Sequence, residues 1–554
     1  MRRKIIFPAL TTLVLGLLNF YFSLPVMNLR SSSFWGFLIF LTIIFIISRI
    51  LFKNIKKGFF FNLINSANKK GGEFNKVIEI NRLSKTVTRI IMISVIVLLV
   101  GGLALYVTSS KFVNSKKYQT MLTVAQADFK QDISEIPMKQ IPIVDRDTAS
   151  NLGKRKLGEI VDLVSQFKVS ELYTQINIKQ TPYRVSPLEY DGFLKWLSNH
   201  DAGIPYYVKI DMATQETDLV ELAAGMKYSP SEYFGRNIER HLRFNYPTKM
   251  IDKVDFEVDD NGHPYWIASV YEYTIGLLGG KDITGIILVD AVTGDSQYCK
   301  VGDVPKWIDR VYSADMLVEQ VDFWGAYKSG YWNSLFVQKG VVTATEGYNY
   351  LAIDDDVWMY TGITSVTSDE SNVGFLLVNM RTKEAKNYQI NGAKEYSAMD
   401  SAKGKVQEKN YTATFPILVN VANRPTYLVS LKDEAGLVKS FAFVDIAKYQ
   451  NVAVGATIAE AKNEYLRMVE NETEESTEKP EETEITGSIS ELASAVVSGN
   501  SYYYFKIKGD DTLFVADINI SKNLPLLKVG DKVKVSFNKS EEYNEVTTMQ
   551  GRAG

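Results

Sequence analysis

Hydrophobic positions are unevenly distributed along this chain. Three runs, about residues 5–24, 34–51 and 90–107, lack acidic side chains and carry at most one charge. Each is long enough for a helix crossing the roughly 30 Å hydrocarbon core of a bilayer, so three transmembrane helices are expected. Arg2, Arg3 and Lys4 give the first run the basic start of a signal peptide. Its apolar stretch exceeds the usual span of about 7 to 15 residues and no small-residue cleavage site follows, so retention is expected.

Beyond the third run the pattern changes to short alternating segments. Residues 109–141 are expected to form a helical stalk, in which MLTVAQADFKQDI carries a partial helical stripe before Pro137 and Pro142 interrupt it. A folded α+β region is expected over 142–469. The acidic stretch ENETEESTEKPEETE then has too few apolar residues to fold, which makes 470–485 a linker. Residues 486–554 alternate in short strands with Gly-Asn, Gly-Asp and Val-Gly-Asp turns, as in a small OB-like β-barrel.

Within 142–469 one pattern recurs. YVKIDMATQET around Asp211, IILVDAVTGDS around Asp290, FLLVNMRTKEA around Asn379 and FAFVDIAKYQN around Asp445 each join an apolar strand to a polar turn through an Asp or Asn. Helical segments and alternating strands precede three of them: RDTASNLGKRKLGEIVDLVSQF, SPSEYFGRNIERHLRFNYP and EYSAMDSAKGKVQEK read as the helices. The strands alternate as a sheet with one face against a helix requires. Asp and Asn both suit the turn, because a short side chain can bond the local backbone, so the motif marks a repeated fold and lends no weight to catalysis.

HPYWIASV followed by ITGIILVDAVTGD, and RPTYLVSL followed by LVKSFAFVDI, resemble the PepSY-type repeat, a helix packed on an antiparallel sheet. The resemblance covers about 229–298 and 395–449, a minority of the chain. The whole arrangement also looks like a family of bacterial membrane proteins with an external region of this kind. The resemblance implies an extracytoplasmic binding or protease-modulating role and supplies no catalytic residues. Asn379 and Lys383 depart from the pattern where it has Asp and Gly.

Charge orients the membrane region. Residues 52–89 carry Lys53, Lys56, Lys57, Lys69, Lys70, Lys76, Arg82, Lys85 and Arg89, whereas the loop between the first two runs has only Arg30. The positive-inside rule places the N-terminus and this basic loop in the cytoplasm, and everything after about Ser109 outside. The loop's FKNIKKGFFFNLINSANKK reads either as a solvated segment or as one lying on an anionic leaflet. Over all 554 residues the net charge is −2, which gives no global nucleic-acid signal, and the single Cys299 rules out an intramolecular disulfide framework.

Candidate chemistry is sparse. His200, His241 and His263 form no close metal pair, and Asp354, Asp355 and Asp356 lack EF-hand spacing and read as a solvated turn. Cys299 has no neighbouring base, and no nucleotide-binding or serine-hydrolase motif is present in the sequence. Tyr502, Tyr503, Tyr504, Lys506 and Lys508 on the barrel suggest a saccharide, peptide or protein face more than a nucleic-acid one. The segment WGAYKSGYWNSLFVQ reads as a helix with an aromatic face. A core or interdomain contact is the favoured reading of Trp324, Tyr327, Tyr331, Trp332 and Phe336, and a protein-partner or membrane-facing surface is the alternative, which makes them the candidate partner surface.

The expectation is therefore a non-enzymatic scaffold or binding protein, anchored in the bacterial cytoplasmic membrane, that presents α+β modules to an envelope protein, peptide or wall polymer. No cofactor, metal or nucleic acid is expected. Alternatives are a carboxylate-dependent extracytoplasmic hydrolase, whose acids would meet only in space, and a transmembrane sensor or protease-modulating protein.

Overall fold

A computed structural model describes residues 3–55, 100–135, 137, 140–366, 368–477, 483–497, 500–521, 523–538 and 543–551. Contacts divide the chain into two units, Met1–Tyr465 and Leu466–Gly554.

Two apolar helices, α1 (Arg3–Ser23) and α2 (Ser32–Ile55), form a hairpin whose faces are otherwise mostly exposed. They meet closely, since a Cβ on Gly16 would lie 2.6 Å from Leu41. Among the described residues these are the two helices long and apolar enough to cross a bilayer. Of the third expected helix, 90–99 lies outside the described residues, and its remainder belongs to a helix over 100–109, α3. The expected basic loop lies outside them from residue 56 onward.

The expected stalk is a strap instead. A helix α4 (Lys111–Gln119) leads to strand β1 (Val124–Ala127), and Tyr118, Leu122, Phe129 and Ile133 are buried. Strand β1 pairs in parallel with a strand some 260 residues later, and the Asn420 amide donates to the Ile133 carbonyl (2.6 Å). Partial helical periodicity gave no sign of this, because the strap's partners are distant in sequence.

Four modules follow, one more than the three helix-and-sheet units legible in the sequence. Module one comprises helix α5 (Arg146–Gly158), strands β2 (Phe167–Val169), β3 (Thr174–Ile178) and β4 (Thr181–Tyr190), helix α6 (Phe193–Asn199), and strands β5 (Ile204–Asp211) and β6 (Thr217–Met226). Module two has helix α7 (Ile238–Asn245), then β7 (Met250–Val258), β8 (Pro264–Ile275), β9 (Gly279–Asp290) and β10 (Ser296–Lys300). Helix α7 starts later than the sequence suggests, because Asn237 caps it by accepting from the Arg240 amide (3.2 Å).

Module three has helix α8 (Ala314–Ala326), then β11 (Val342–Ala344), β12 (Asn349–Ile353), β13 (Asp356–Ser365), β14 (Ser368–Asn379), β15 (Ala385–Tyr388) and the short β16 (Gly392–Ala393). Module four has helix α9 (Glu395–Lys405), β17 (Thr412–Ala413), β18 (Ile417–Val421), β19 (Arg424–Lys432), β20 (Val438–Asp445) and β21 (Val452–Gly455), followed by helix α10 (Ile458–Thr477). Each sheet is an antiparallel meander, and in modules one, three and four the first strand is broken into two pieces along the same neighbour.

Two-residue turns with positive φ at both positions join these first pairs: Lys179-Gln180, Asp354-Asp355 and Ala422-Asn423. Such turns match the right-handed twist of the flanking strands. The later turns of the repeat obey a second rule. Oδ1 of Asp211, Asp290, Asn379 and Asp445 each accepts from the backbone N–H groups two and three residues on, at 2.8–3.0 Å.

The central strands of modules three and four are not half-solvated, as their alternating sequence suggests. Burial on β13, β14, β19 and β20 is nearly continuous, so Thr361, Asn372, Thr426 and Ser430 on the polar face are buried as well. Helix α8 shows why: Gln320 donates to the Lys281 carbonyl on β9 (3.1 Å), while Asp322 accepts from Thr343 (2.7 Å) and the Ala344 amide on β11 (2.9 Å). One hydrophobic cluster joins Ile267, Ile286 and Leu288 to Leu317, Val321 and Trp324, and these to Met359, Leu376 and Val378. A helix sandwiched between its own sheet and the preceding one buries both.

The second unit holds a closed five-stranded barrel of β22 (Thr483–Val497), β23 (Asn500–Ile507), β24 (Asp510–Asp517), β25 (Lys532–Asn538) and β26 (Asn544–Gly551). Its order is β22-β23-β24-β26-β25, with a parallel β24–β26 pair, consistent with an OB-like barrel. Phe505, Phe514, Val535 and Phe537 fill the interior. Of the expected acidic linker 470–485, residues through Thr477 continue α10, 478–482 lie outside the described residues, and strand β22 takes up the rest.

Candidate membrane-proximal interface and binding groove

Module two grips the ends of the apolar helices. In the loop after α1, the Leu24 carbonyl accepts from Arg243 Nε (3.1 Å) and the Met27 amide donates to the Pro247 carbonyl (2.7 Å). Asn28 Nδ2 donates to Thr248 (3.1 Å), and Arg30 reaches the Tyr273 carbonyl (2.8 Å). Phe20 stacks on Phe244 at 5.9 Å, and the Arg240 guanidinium lies 4.6 Å from the Tyr21 ring centre. Burial of Arg243 lowers its pKa, and its hydrogen bonds to carbonyls replace the lost water.

The end of α3 is held by the same module. Ser109 Oγ accepts from the Leu277 and Leu278 amides in the β8–β9 turn, both at 3.1 Å, and Tyr118 donates to the Ser109 carbonyl (2.7 Å). Both helix ends therefore arrive at one side of one module, fixed mainly by side chain-to-backbone hydrogen bonds rather than by a flexible tether.

The candidate aromatic surface splits in two. The expected single helix ends at Ala326, and helical turns resume only after Gly330, whose φ is +84°. Before the break, Trp324 is 7 % exposed within the core and Tyr327 is half-buried beside Phe323. After it, Tyr331 is half-buried, whereas Trp332 and Phe336 are 60 % and 74 % exposed.

Candidate titratable groups are dispersed. His263 pairs with Asp290 (2.9 Å), His241 meets the edge of Tyr228, and His200 stacks on Trp196. Asp354 and Asp355 form a turn, with Asp355 accepting from the Gln180 amide (2.6 Å), while Asp356 pairs with Arg381 (2.7 Å). With Asp132, the turn acids line a cavity of about 120 Å³. Cys299 is partly buried, and burial raises its thiol pKa. No group of three or more His, Cys, Asp or Glu suited to hold a metal occurs among the described residues.

Sequence reasoning missed one acid pair, because its members are 52 residues apart. Both Glu257 oxygens accept backbone N–H bonds, from Asp309 (3.0 Å) and Arg310 (2.9 Å), and Asp309 accepts from the Asn177 amide (2.6 Å). Burial first, then mutual repulsion, pushes the Asp309 carboxyl pKa well up, and burial does the same to Glu257. Three of their four oxygens accept backbone N–H bonds at a junction of modules one, two and three, and the fourth, Asp309 Oδ1, is buried without a hydrogen-bond partner.

On the barrel, register brings together what the sequence only hinted at. Tyr502 faces Asp517, Tyr504 faces Val515, and Val515 pairs with Glu545 on β26. These residues, with Ile520 and Tyr543, line a groove of about 340 Å³. Tyr503 instead packs against the core, and Lys506 pairs with Glu491 (3.5 Å). The charged groups lining the groove are carboxylates.

No known family model matches the chain, and no curated protein matches it.

Proposed function

We propose that the chain is a non-enzymatic, membrane-anchored scaffold or binding protein of the bacterial envelope, with the four modules and the barrel outside the cytoplasmic membrane. The attachment of the α1–α2 loop and of the α3 end to the same side of module two carries this reading. It gives the apolar helices a fixed platform and, with Arg30 the one basic residue of the α1–α2 loop, supports an orientation in which that loop and the folded body share one side of the membrane.

The barrel groove supports a binding role. Three phenol rings and two carboxylates suit a neutral polyhydroxylated or basic ligand, such as a wall saccharide or a peptide, and repel a phosphate backbone. Protease added outside intact cells should cleave near Asn471 and spare the loop at Lys56. The reverse pattern would sink the orientation. Crosslinking in situ, followed by purification of the full-length protein, should recover a reproducible envelope protein, peptide or wall polymer, and recovering none removes the binding role.

A further inference from the structure

Two apolar patches lie outside the packed layers, each beside the end of an apolar helix. The first is the turn 331–337, where π-helical Asn333–Val337 leaves Trp332, Leu335, Phe336 and Val337 between 51 % and 74 % exposed. Trp332 stacks on Phe336 at 5.6 Å, and the Phe112 ring lies edge-on to Tyr331 and Trp332 at 5.4 and 5.6 Å. Phe112 and Val113 are themselves exposed, as are Leu103, Tyr106 and Val107 of α3. Exposed apolar side chains thus lie on α3, at Phe112 and Val113, and on the turn that Phe112 touches.

The second patch is the outer side of α6, where Phe193, Leu194 and Leu197 are exposed next to Phe234. Trp196 links them, lying 5.4 Å from Phe193 and 5.8 Å from Phe234. The Phe234 carbonyl accepts from Arg240 (2.9 Å), the guanidinium that covers Tyr21 near the end of α1. This patch therefore adjoins α1 as the first adjoins α3.

Exposed apolar surface of this kind marks an interaction site. Tryptophan, tyrosine and phenylalanine with lysines nearby, here Lys339 and Lys195, suit the boundary between lipid headgroups and chains. Each patch adjoins the point where an apolar helix meets the folded body, which favours a bilayer receiving α1 and α3 over a protein partner as the occupant. We infer that the two patches are feet immersed in the leaflet from which the folded body emerges, and that they fix the tilt of the module stack on the membrane. This rests on the membrane-anchored reading above.

The test uses full-length protein in the C299S background, reconstituted in nanodiscs of phosphatidylcholine and phosphatidylglycerol, with a nitroxide at L15C, L194C, F336C or, as an aqueous reference, E434C. Relaxation by oxygen is compared with relaxation by a water-soluble nickel chelate. Oxygen should dominate at L15C, L194C and F336C, and nickel at E434C. Nickel dominance at L194C or F336C with oxygen dominance at L15C overturns the feet and leaves the anchor intact. Nickel dominance at L15C overturns the anchor and the feet together. Shielding of L194C or F336C from both reagents assigns that patch to a protein contact and overturns the proposal.

Discussion

At Asn379 a single amide replaces the carboxylate found at Asp211, Asp290 and Asp445, and the residue across the hairpin explains it. The second oxygen of Asp290 meets His263 (2.9 Å), and that of Asp445 meets Tyr465 (3.0 Å) and Arg424 (3.5 Å). In module three the corresponding position on the neighbouring strand holds Asp356, and Asn379 Nδ2 donates to it at 2.8 Å. An Asp there would set two carboxylates side by side, whereas the Oδ1 turn bonds need an acceptor only and tolerate either residue. N379D should therefore destabilise the protein by about 1–3 kcal/mol, and adding D356N should restore most of the loss. Thermal melting of the single and double variants measures this; an N379D protein as stable as wild type would contradict the pairing. The sequence displayed the Asn but not its reason, since Asp356 comes 23 residues earlier and looked like part of an acidic turn.

Helix α8 and the turn after it show how far element-level reading reaches. Periodicity located the aromatic residues but carried the helix through Gly330, joining a buried face to an exposed one. Replacing Trp324 with Ala should cost about 3–5 kcal/mol, because its ring fills a cluster spanning two sheets. Replacing the exposed Trp332 with Ser should change stability by less than about 0.5 kcal/mol. Chemical denaturation of the two variants separates the roles, and equal losses would mean that both rings are core. The turn-capping acids made the repeats legible. That α8 serves two sheets was not, because a Thr or Ser facing solvent and one facing the next layer's backbone read alike; Ser269, donating to the Val311 carbonyl at 2.7 Å, is such a case.

Across the whole molecule, the buried Glu257–Asp309 pair ties stability to pH. Both carboxyls have folded pKa values above their unfolded ones, so between about pH 4 and 8 the native state holds protons that the unfolded chain has released. Their contribution is fully present at the acidic end of that window and is lost as pH rises. D309N removes one of the two titrating carboxyls and keeps an acceptor for the Asn177 backbone N–H. It should raise the melting temperature at pH 8, leave it nearly unchanged at pH 5 and flatten the profile between. A melting profile parallel to wild type would show that the pair is not protonated in the fold.

The strap gives the chain an order of events. Strand β1 emerges from the ribosome early, but Gln126 waits for Asn387, 261 residues later, and Ile133 waits for Asn420, 287 residues later. At roughly 5–20 residues per second, this leaves the segment without its sheet for about 13 to 57 s. Modules one and two can assemble in that interval, whereas the open edge of module three closes only on a strand made long before it. The strap is thus made early and is among the last segments to find its place, and throughout the interval its unpaired strand is open to a chaperone or a second nascent copy.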